Sequence, residues 1–281
     1  MGQITRSSGK SCRRCLRGKT VLLTGTAGGM GLAVAKLLTE KGCRVYGLDL
    51  RRPAPLAGLH YIQTDLTDPA SVEKAFALLR ERKVRLDGIV HMAGLYDLNS
   101  LVEIDEAAWE RIFQVNLCAA YRVNRIFLPL LRPGARIILT TSELAPLDPL
   151  PFTGIYAVTK AALDKYASSL RMELQLLGIR VIVLRPGAVD TKLLDVSTKR
   201  LEDFVRNTAW YAPNAVRFRQ VVDRVEARKI PPERIAELTE RALRCEHPRD
   251  VYTINRNPLL LLLNALPNRL QREIIRVVLK K

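Results

Sequence analysis

The chain of 281 residues, 48% of them hydrophobic, suits one large α/β domain with a sizeable core and is short for two full domains. No apolar run reaches the ~18 residues needed to cross a bilayer. The net charge of +17 is uneven: residues 1–19 hold six positive and no negative side chains, residues 195–281 hold eighteen and eleven, and the middle holds the remaining 21 and 17. A nearly balanced middle speaks against a nucleic-acid-binding fold and assigns the excess to basic ends that suit an anionic surface or aid solubility.

From residue 19 onward, short apolar runs alternate with helical periodicity. Residues 20–24 read as a strand and 29–41 as a helix; 44–49 and 60–64 read as strands and 69–82 as a helix. A strand at 86–92 precedes a long helical stretch at 105–131, then come a strand at 135–141, a helix at 155–177, a strand at 179–184 and a last strand at 251–254. Runs such as Val181-Ile182-Val183-Leu184 are apolar throughout, as in strands covered by helices on both faces of a parallel sheet. Strands alternating with helices imply right-handed βαβ units, hence a doubly wound α/β sheet. Residues 187–249 break this rhythm and read as an insertion over the strand ends. There Leu193, Leu194, Phe204, Trp210, Tyr211 and Phe218 are candidate pocket walls or packing residues. Residues 257–281 read as a basic amphipathic C-terminal helix, with Leu270, Ile274, Val277 and Val278 on one face. Residues 1–17 form a basic tail without the apolar stretch of a secretory signal. Position 6 is Arg6, where a myristoylation motif has Ser or Thr.

Of five cysteines, only Cys12 and Cys15 form a CxxC pair, and no second pair completes a four-ligand zinc site. No metal is expected, and the reading is of free thiols in a reducing cytoplasm.

Thr24-Gly25-Thr26-Ala27-Gly28-Gly29-Met30-Gly31 follows the first strand and opens the first helix. Glycines there allow a tight turn and let backbone amides approach a pyrophosphate at the positive helix end. Asp49, about 20 residues on, is placed to accept hydrogen bonds from ribose hydroxyls, which favours NAD over NADP; Arg51 and Arg52 would bind a 2′-phosphate and reverse that preference. Downstream, Tyr156 and Lys160 share one helical face. An ammonium beside a phenol favours the phenolate and fits the tyrosine for proton exchange. Ser142 is placed to hold a carbonyl oxygen, and Asn116 to support a proton relay behind the lysine.

In this order the motifs resemble those of the short-chain dehydrogenase/reductase family, over about residues 18–193. The resemblance rests on the glycine loop, Asp65, Ala93-Gly94, Asn116, Ser142, Tyr156, Lys160, and Pro186-Gly187 with Thr191. It implies a Rossmann-type fold over residues 18–256 with helices on both faces, and NAD(P)-dependent interconversion of a secondary alcohol and a ketone. It assigns Asn116, Ser142, Tyr156 and Lys160 to catalysis. For the cofactor it implies Gly25, Thr26, Gly28, Gly29, Met30 and Gly31 in the loop, Asp49, Asp65-Leu66 near adenine, Ala93-Gly94, Tyr156 and Lys160. Pro186, Gly187, Val189 and Thr191 would line the nicotinamide site. The family often has Asn-Asn-Ala-Gly where this chain reads His91-Met92-Ala93-Gly94, which puts local sheet bonding in doubt.

The tail is similar to those of hydroxysteroid- and retinol-type members, which implies an apolar, steroid- or lipid-like substrate. A homo-oligomer, dimer or tetramer, is expected, with no nucleic-acid partner. The basic C-terminal helix has three readings: contact with an anionic membrane, a dimer contact, or a cap over the cleft. A non-catalytic dinucleotide-binding protein on the same fold is the alternative.

Overall fold

The computed structural model describes residues 15–226 and 228–280. The basic tail expected at residues 1–17 falls almost wholly outside them, as does Cys12. Seven strands form one parallel sheet: β1 (Thr20–Thr24), β2 (Arg44–Asp49), β3 (Leu59–Gln63), β4 (Leu86–His91), β5 (Leu131–Thr140), β6 (Arg180–Pro186) and β7 (Val251–Ile254), in the order β3-β2-β1-β4-β5-β6-β7. Chain order reverses between β1 and β4, and such a switch point opens a crevice at the carboxyl ends of the strands.

Side-chain alternation splits the core in two. Leu22, Ile137 and Leu139 face α2 (Pro69–Glu81), α4 (Ala119–Phe127) and α5 (Gly154–Leu174). Leu23, Val90 and Ile138 face α1 (Gly29–Glu40) and α8 (Glu233–Arg244). Both faces are covered, which is why these strands are apolar without interruption. Capping fixes where helices begin: the Asp68 carboxylate accepts the Ala70 and Ser71 N–H groups ahead of Pro69.

Three expectations are corrected. The long helix at 105–131 is broken into α3 (Glu106–Phe113), a π-turn at Gln114–Cys118 and α4, and it closes in a 3-10 turn at Leu128–Leu130. Pro129 supplies no N–H to continue the helix, and Leu131 already belongs to β5. The segment 187–249 divides. Helices α6 (Lys192–Asn207) and α7 (Ala212–Glu226) lie over the strand ends around a separate cluster of Leu98, Phe152, Phe204 and Phe218. Helix α8 instead packs along α1 in the sheet-covering layer. The buried Arg136 guanidinium ties it there, donating to the carbonyls of Ala242 (2.6 Å) and Leu243 (2.8 Å) at its C-terminus.

The single C-terminal helix is two, α9 (Pro258–Asn264) and α10 (Asn268–Leu279), parted at Pro267. The apolar face of α10 is exposed. Leu270, Ile274, Val277 and Val278 are all open to solvent, while Gln271 and Leu279 are buried. The reason is that α10 docks on α7, with Asn214 donating to the Leu279 carbonyl at 2.7 Å. Among the described residues, no helix is long and apolar enough to cross a membrane.

Candidate active site

The loop after β1 is packed backbone on backbone. Gly25 has φ +77°, and a Cβ there would lie 2.6 Å from the Ala93 nitrogen. A Cβ on Gly31 would lie 2.0 Å from the Gly25 carbonyl oxygen. No side chain caps the amino end of α1, and its first turn carries no acidic residue. The leading amides are therefore available to an anion. Asp49 accepts the Ala27 N–H at 2.9 Å and the Arg51 N–H at 3.0 Å, which seats the carboxylate against the loop. Thr26 is fully buried. Thr191 closes the far side, its methyl 2.9 Å from a Cβ added at Gly29. Uncapped amides, a glycine cradle and a carboxylate at the end of β2 fit a dinucleotide.

Asp65 stands at the same end of the sheet, but its geometry is local. One carboxylate oxygen accepts the Thr67 N–H (2.8 Å) and hydroxyl (2.6 Å), and the Thr67 hydroxyl holds the carboxyl below its usual range. The Leu66 side chain is buried in the core, while its carbonyl accepts Arg122 at 2.6 Å.

At the end of β4 the sheet is whole despite the departure at His91-Met92. The Met92 N–H donates to Thr24 (3.3 Å) and its sulfur accepts the Thr140 hydroxyl (3.1 Å). His91 is buried and shares a 2.8 Å hydrogen bond with Asn124; burial pushes its pKa down to about 4, so the ring is neutral.

Asn116 projects from the π-turn. Its Oδ1 accepts the Leu95 N–H (2.7 Å), and its Nδ2 donates to the Leu95 carbonyl (2.9 Å) and the Thr159 hydroxyl (3.0 Å). One amide thus clamps the loop behind Gly94 to α5. Lys160, one turn beyond Tyr156 on α5, donates to the Thr140 carbonyl at 3.0 Å, with its nitrogen 5.8 Å from the Tyr156 ring centre. Burial lowers its pKa to about 8. The Tyr156 phenol is hydrogen-bonded by Ser142, yet burial, reinforced by Glu143, pushes it up to about 12. Burial therefore outweighs the depression expected from the lysine.

Ser142, Glu143, Tyr156 and Lys160 share one cleft of about 1140 Å³, its open mouth included, while Asn116 stands behind it. Met30, Ala93, Gly94, Ser142, Tyr156 and Lys160 line it, and Pro186, Gly187, Val189 and Thr191 close the end of β6. Gly187 is fixed by backbone approach, since a Cβ there would lie 2.0 Å from the Asn255 carbonyl oxygen. The opposite wall is apolar: Leu95, Leu144, Leu150, Val221, Val222 and Leu260.

Of the candidate wall residues in the insertion, Phe218 reaches the cleft. Phe204 packs on Phe152 with ring centres 5.0 Å apart, Tyr211 meets Phe152 edge-on, and Trp210 is 77% exposed. The side chains of Leu193 and Leu194 lie outside the described residues.

Among the cleft residues that the sequence did not single out are Tyr96 and Glu143. Tyr96 meets the Tyr156 ring edge-on with centres 4.5 Å apart. Glu143 is a buried carboxylate directly after Ser142, and it accepts the Asn257 N–H at 2.6 Å. Tyr96 lies two residues past Ala93-Gly94 and Glu143 adjoins Ser142, so proximity to the motifs was the one available signal. Among the described residues, no cluster of His, Cys, Asp or Glu has the makings of a metal site.

The model of the short chain dehydrogenase family matches residues 19–202. The chain is 30% identical to a sorbitol dehydrogenase of Cereibacter sphaeroides over 198 residues, 67% of this chain and 77% of that protein. It is 32% identical to a benzil reductase ((S)-benzoin forming) of Saccharomyces cerevisiae over 194 residues, 63% and 73% of the two chains. It is 31% identical to mouse estradiol 17-beta-dehydrogenase 2 over 188 residues, 62% of this chain and 49% of that protein. In fold it is similar to a short-chain dehydrogenase from Streptomyces avermitilis, with a TM-score of 0.72 at 20% identity over 92% of this chain and 94% of that one. With its parallel sheet, glycine loop and matched family model, the chain belongs to the short-chain dehydrogenase/reductase family of oxidoreductases.

Proposed function

We propose that the protein interconverts a secondary alcohol and a ketone on an apolar substrate, with NAD(H) as the preferred cofactor and NADP(H) as the alternative. The observation that carries this reading is the convergence of Ser142, Tyr156 and Lys160 on one wall of a cleft whose other wall is hydrocarbon. The residues from Gly25 to Gly31, with Asp49, Asp65, Ala93 and Gly94, would hold the dinucleotide. Bound there, it supplies or accepts the hydride.

The chain's own part is proton transfer and positioning. Ser142 holds the substrate oxygen. Tyr156 donates its proton to that oxygen in reduction and takes it back in oxidation. With the phenol pushed up to about 12, Tyr156 keeps its proton across the neutral range and can donate it in reduction. Oxidation needs the phenolate and gains as pH rises. Lys160 supports the phenolate while its own charge persists, below about 8. Asn116 fixes the loop behind Gly94 against α5.

An apolar substrate fits the leucine and valine wall. It also agrees with the substrates in the names of the estradiol and benzil enzymes better than with the polyol named for the sorbitol enzyme. Exposed Tyr121 on α4 and Val158 and Met172 on α5 support assembly as a homo-oligomer, and thiols free at Cys15, Cys43, Cys118 and Cys245 support a cytoplasmic setting.

The test is a panel of apolar ketones and alcohols with each cofactor, run on the native chain and on Tyr156→Phe. Turnover should fall about 10²–10⁴-fold in the variant, while cofactor affinity stays within about twofold, since no phosphate contact is touched. Undiminished turnover would remove Tyr156 from its role. No turnover by the native chain, with tight cofactor binding, would favour a dinucleotide sensor.

A further inference from the structure

Helices α9 and α10 carry an apolar surface with no partner among the described residues. On α9, Leu260 turns into the cleft while Leu259 and Leu262 are 67% and 64% exposed. On α10, Leu270, Ile274, Val277 and Val278 recur at the spacing of one helical stripe, and all are exposed. The surrounding charge is one-sided. Arg256, Arg269, Arg272, Arg276 and Lys280 are exposed, against one acid in the same stretch, Glu273, which is paired to Arg276 at 2.6 Å.

The surface is held rigidly beside the cleft. Asn264 accepts the Asp148 N–H at 2.7 Å, Gln271 donates to the Asp148 carboxylate at 3.3 Å, and Glu143 holds Asn257 at the start of α9. Helix α10 also braces α7, whose Phe218 and Val222 line the cleft.

We infer that α9 and α10 form a platform that docks the protein on an anionic lipid surface. An exposed apolar stripe bordered by arginines is the chemistry that enters the headgroup boundary of such a bilayer. A second copy of this chain is a poor occupant, because a twofold contact would bring the same arginines together on a protein of net charge +17. Docking places the cleft mouth at the hydrocarbon boundary, so that a membrane-dissolved substrate passes Leu260 on its way to Tyr156. Docking is independent of the proposed chemistry, and only the route of the substrate rests on it.

The test is co-sedimentation of the full chain with phosphatidylserine–phosphatidylcholine vesicles and with pure phosphatidylcholine vesicles, read without any turnover assay. The variants are the pair Leu262→Asp/Val277→Asp and the pair Arg269→Gln/Arg272→Gln, with thermal unfolding as the check on folding. Binding should favour the anionic vesicles, weaken with salt, and fall roughly tenfold or more in each variant at unchanged unfolding temperature. Equal binding to both lipids, or binding undiminished in both variants, would overturn the proposal; in the second case the basic residues 1–19 or another surface would be responsible. A dimer in sedimentation velocity that Leu262→Asp/Val277→Asp dissociates would overturn it too, by giving the face to a second copy.

Discussion

On the glycine-loop side of the cleft, position is set by backbone against backbone. Gly31 admits no Cβ beside the Gly25 carbonyl, and Gly25 admits none beside Ala93. On the substrate side, position is set by carboxylates reaching across the chain. Asp97 pairs with Arg200 of α6 at 2.5 Å. Glu103 accepts the Thr208 hydroxyl and the Ala209 N–H (2.8 Å each) at the turn into α7, the Asp148 carboxylate accepts Gln271 of α10, and that of Glu143 accepts the Asn257 N–H ahead of α9. A backbone contact admits one residue type and leaves a local motif. A carboxylate anchor joins residues about a hundred positions apart and leaves none. The two sides should therefore fail differently when altered.

The largest effect is expected at Gly31→Ala. The added carbon would sit 2.0 Å from a carbonyl oxygen of the rigid loop, so the loop itself must move. NADH affinity, followed by fluorescence titration, should fall about 100-fold or more, near 3 kcal/mol. Retained affinity would show that the loop yields and that the contrast is overdrawn.

Next comes acid lability at the seam between the sides. His91 holds no proton in the folded chain until about pH 4, whereas the unfolded chain takes one near 6.5. Stability from this residue is thus complete above pH 6.5 and is lost as pH falls toward 4, by up to about 3 kcal/mol. Denaturant melts at pH 7 and 4.5 should show this loss, and His91→Gln should flatten it.

A smaller change is expected at Asp97→Ala, which frees Arg200 and with it α6. KM for an apolar ketone should rise about tenfold at unchanged NADH affinity, because distant sites act independently. A matching loss of NADH affinity would mean that the two sides are one mechanical unit. The smallest effect belongs to Trp210→Ala: at 77% exposure it should shift stability by less than about 0.5 kcal/mol in a thermal melt and leave KM unmoved.

The same contrast decides what was legible in the sequence. Strand positions follow from uninterrupted apolar runs, and the loop from Gly25 to Gly31 from glycines that have no substitute. The π-turn is different. Nothing in Gln114–Cys118 announces an extra residue per turn, and the interruption makes sense once Asn116 is seen bonded to Leu95 and Thr159. Amphipathic spacing found the stripe on α10 and left its occupant open, since spacing identifies an apolar face without saying what lies against it. Glu143 and Tyr96 were invisible as cleft residues because their neighbours, Asn257 and Tyr156, come from other elements. The walls offered by Phe204 and Tyr211 proved to be packing around Phe152, a residue of the loop before α5.

The Asn116 amide has a consequence for how protons travel. Both of its N–H donors are spent on protein, one on the Leu95 carbonyl and one on the Thr159 hydroxyl. A group with no donor to lend is a strut rather than a wire. The loop carrying Gly94 and the helix carrying Tyr156 and Lys160 are thus tied by a single side chain belonging to neither.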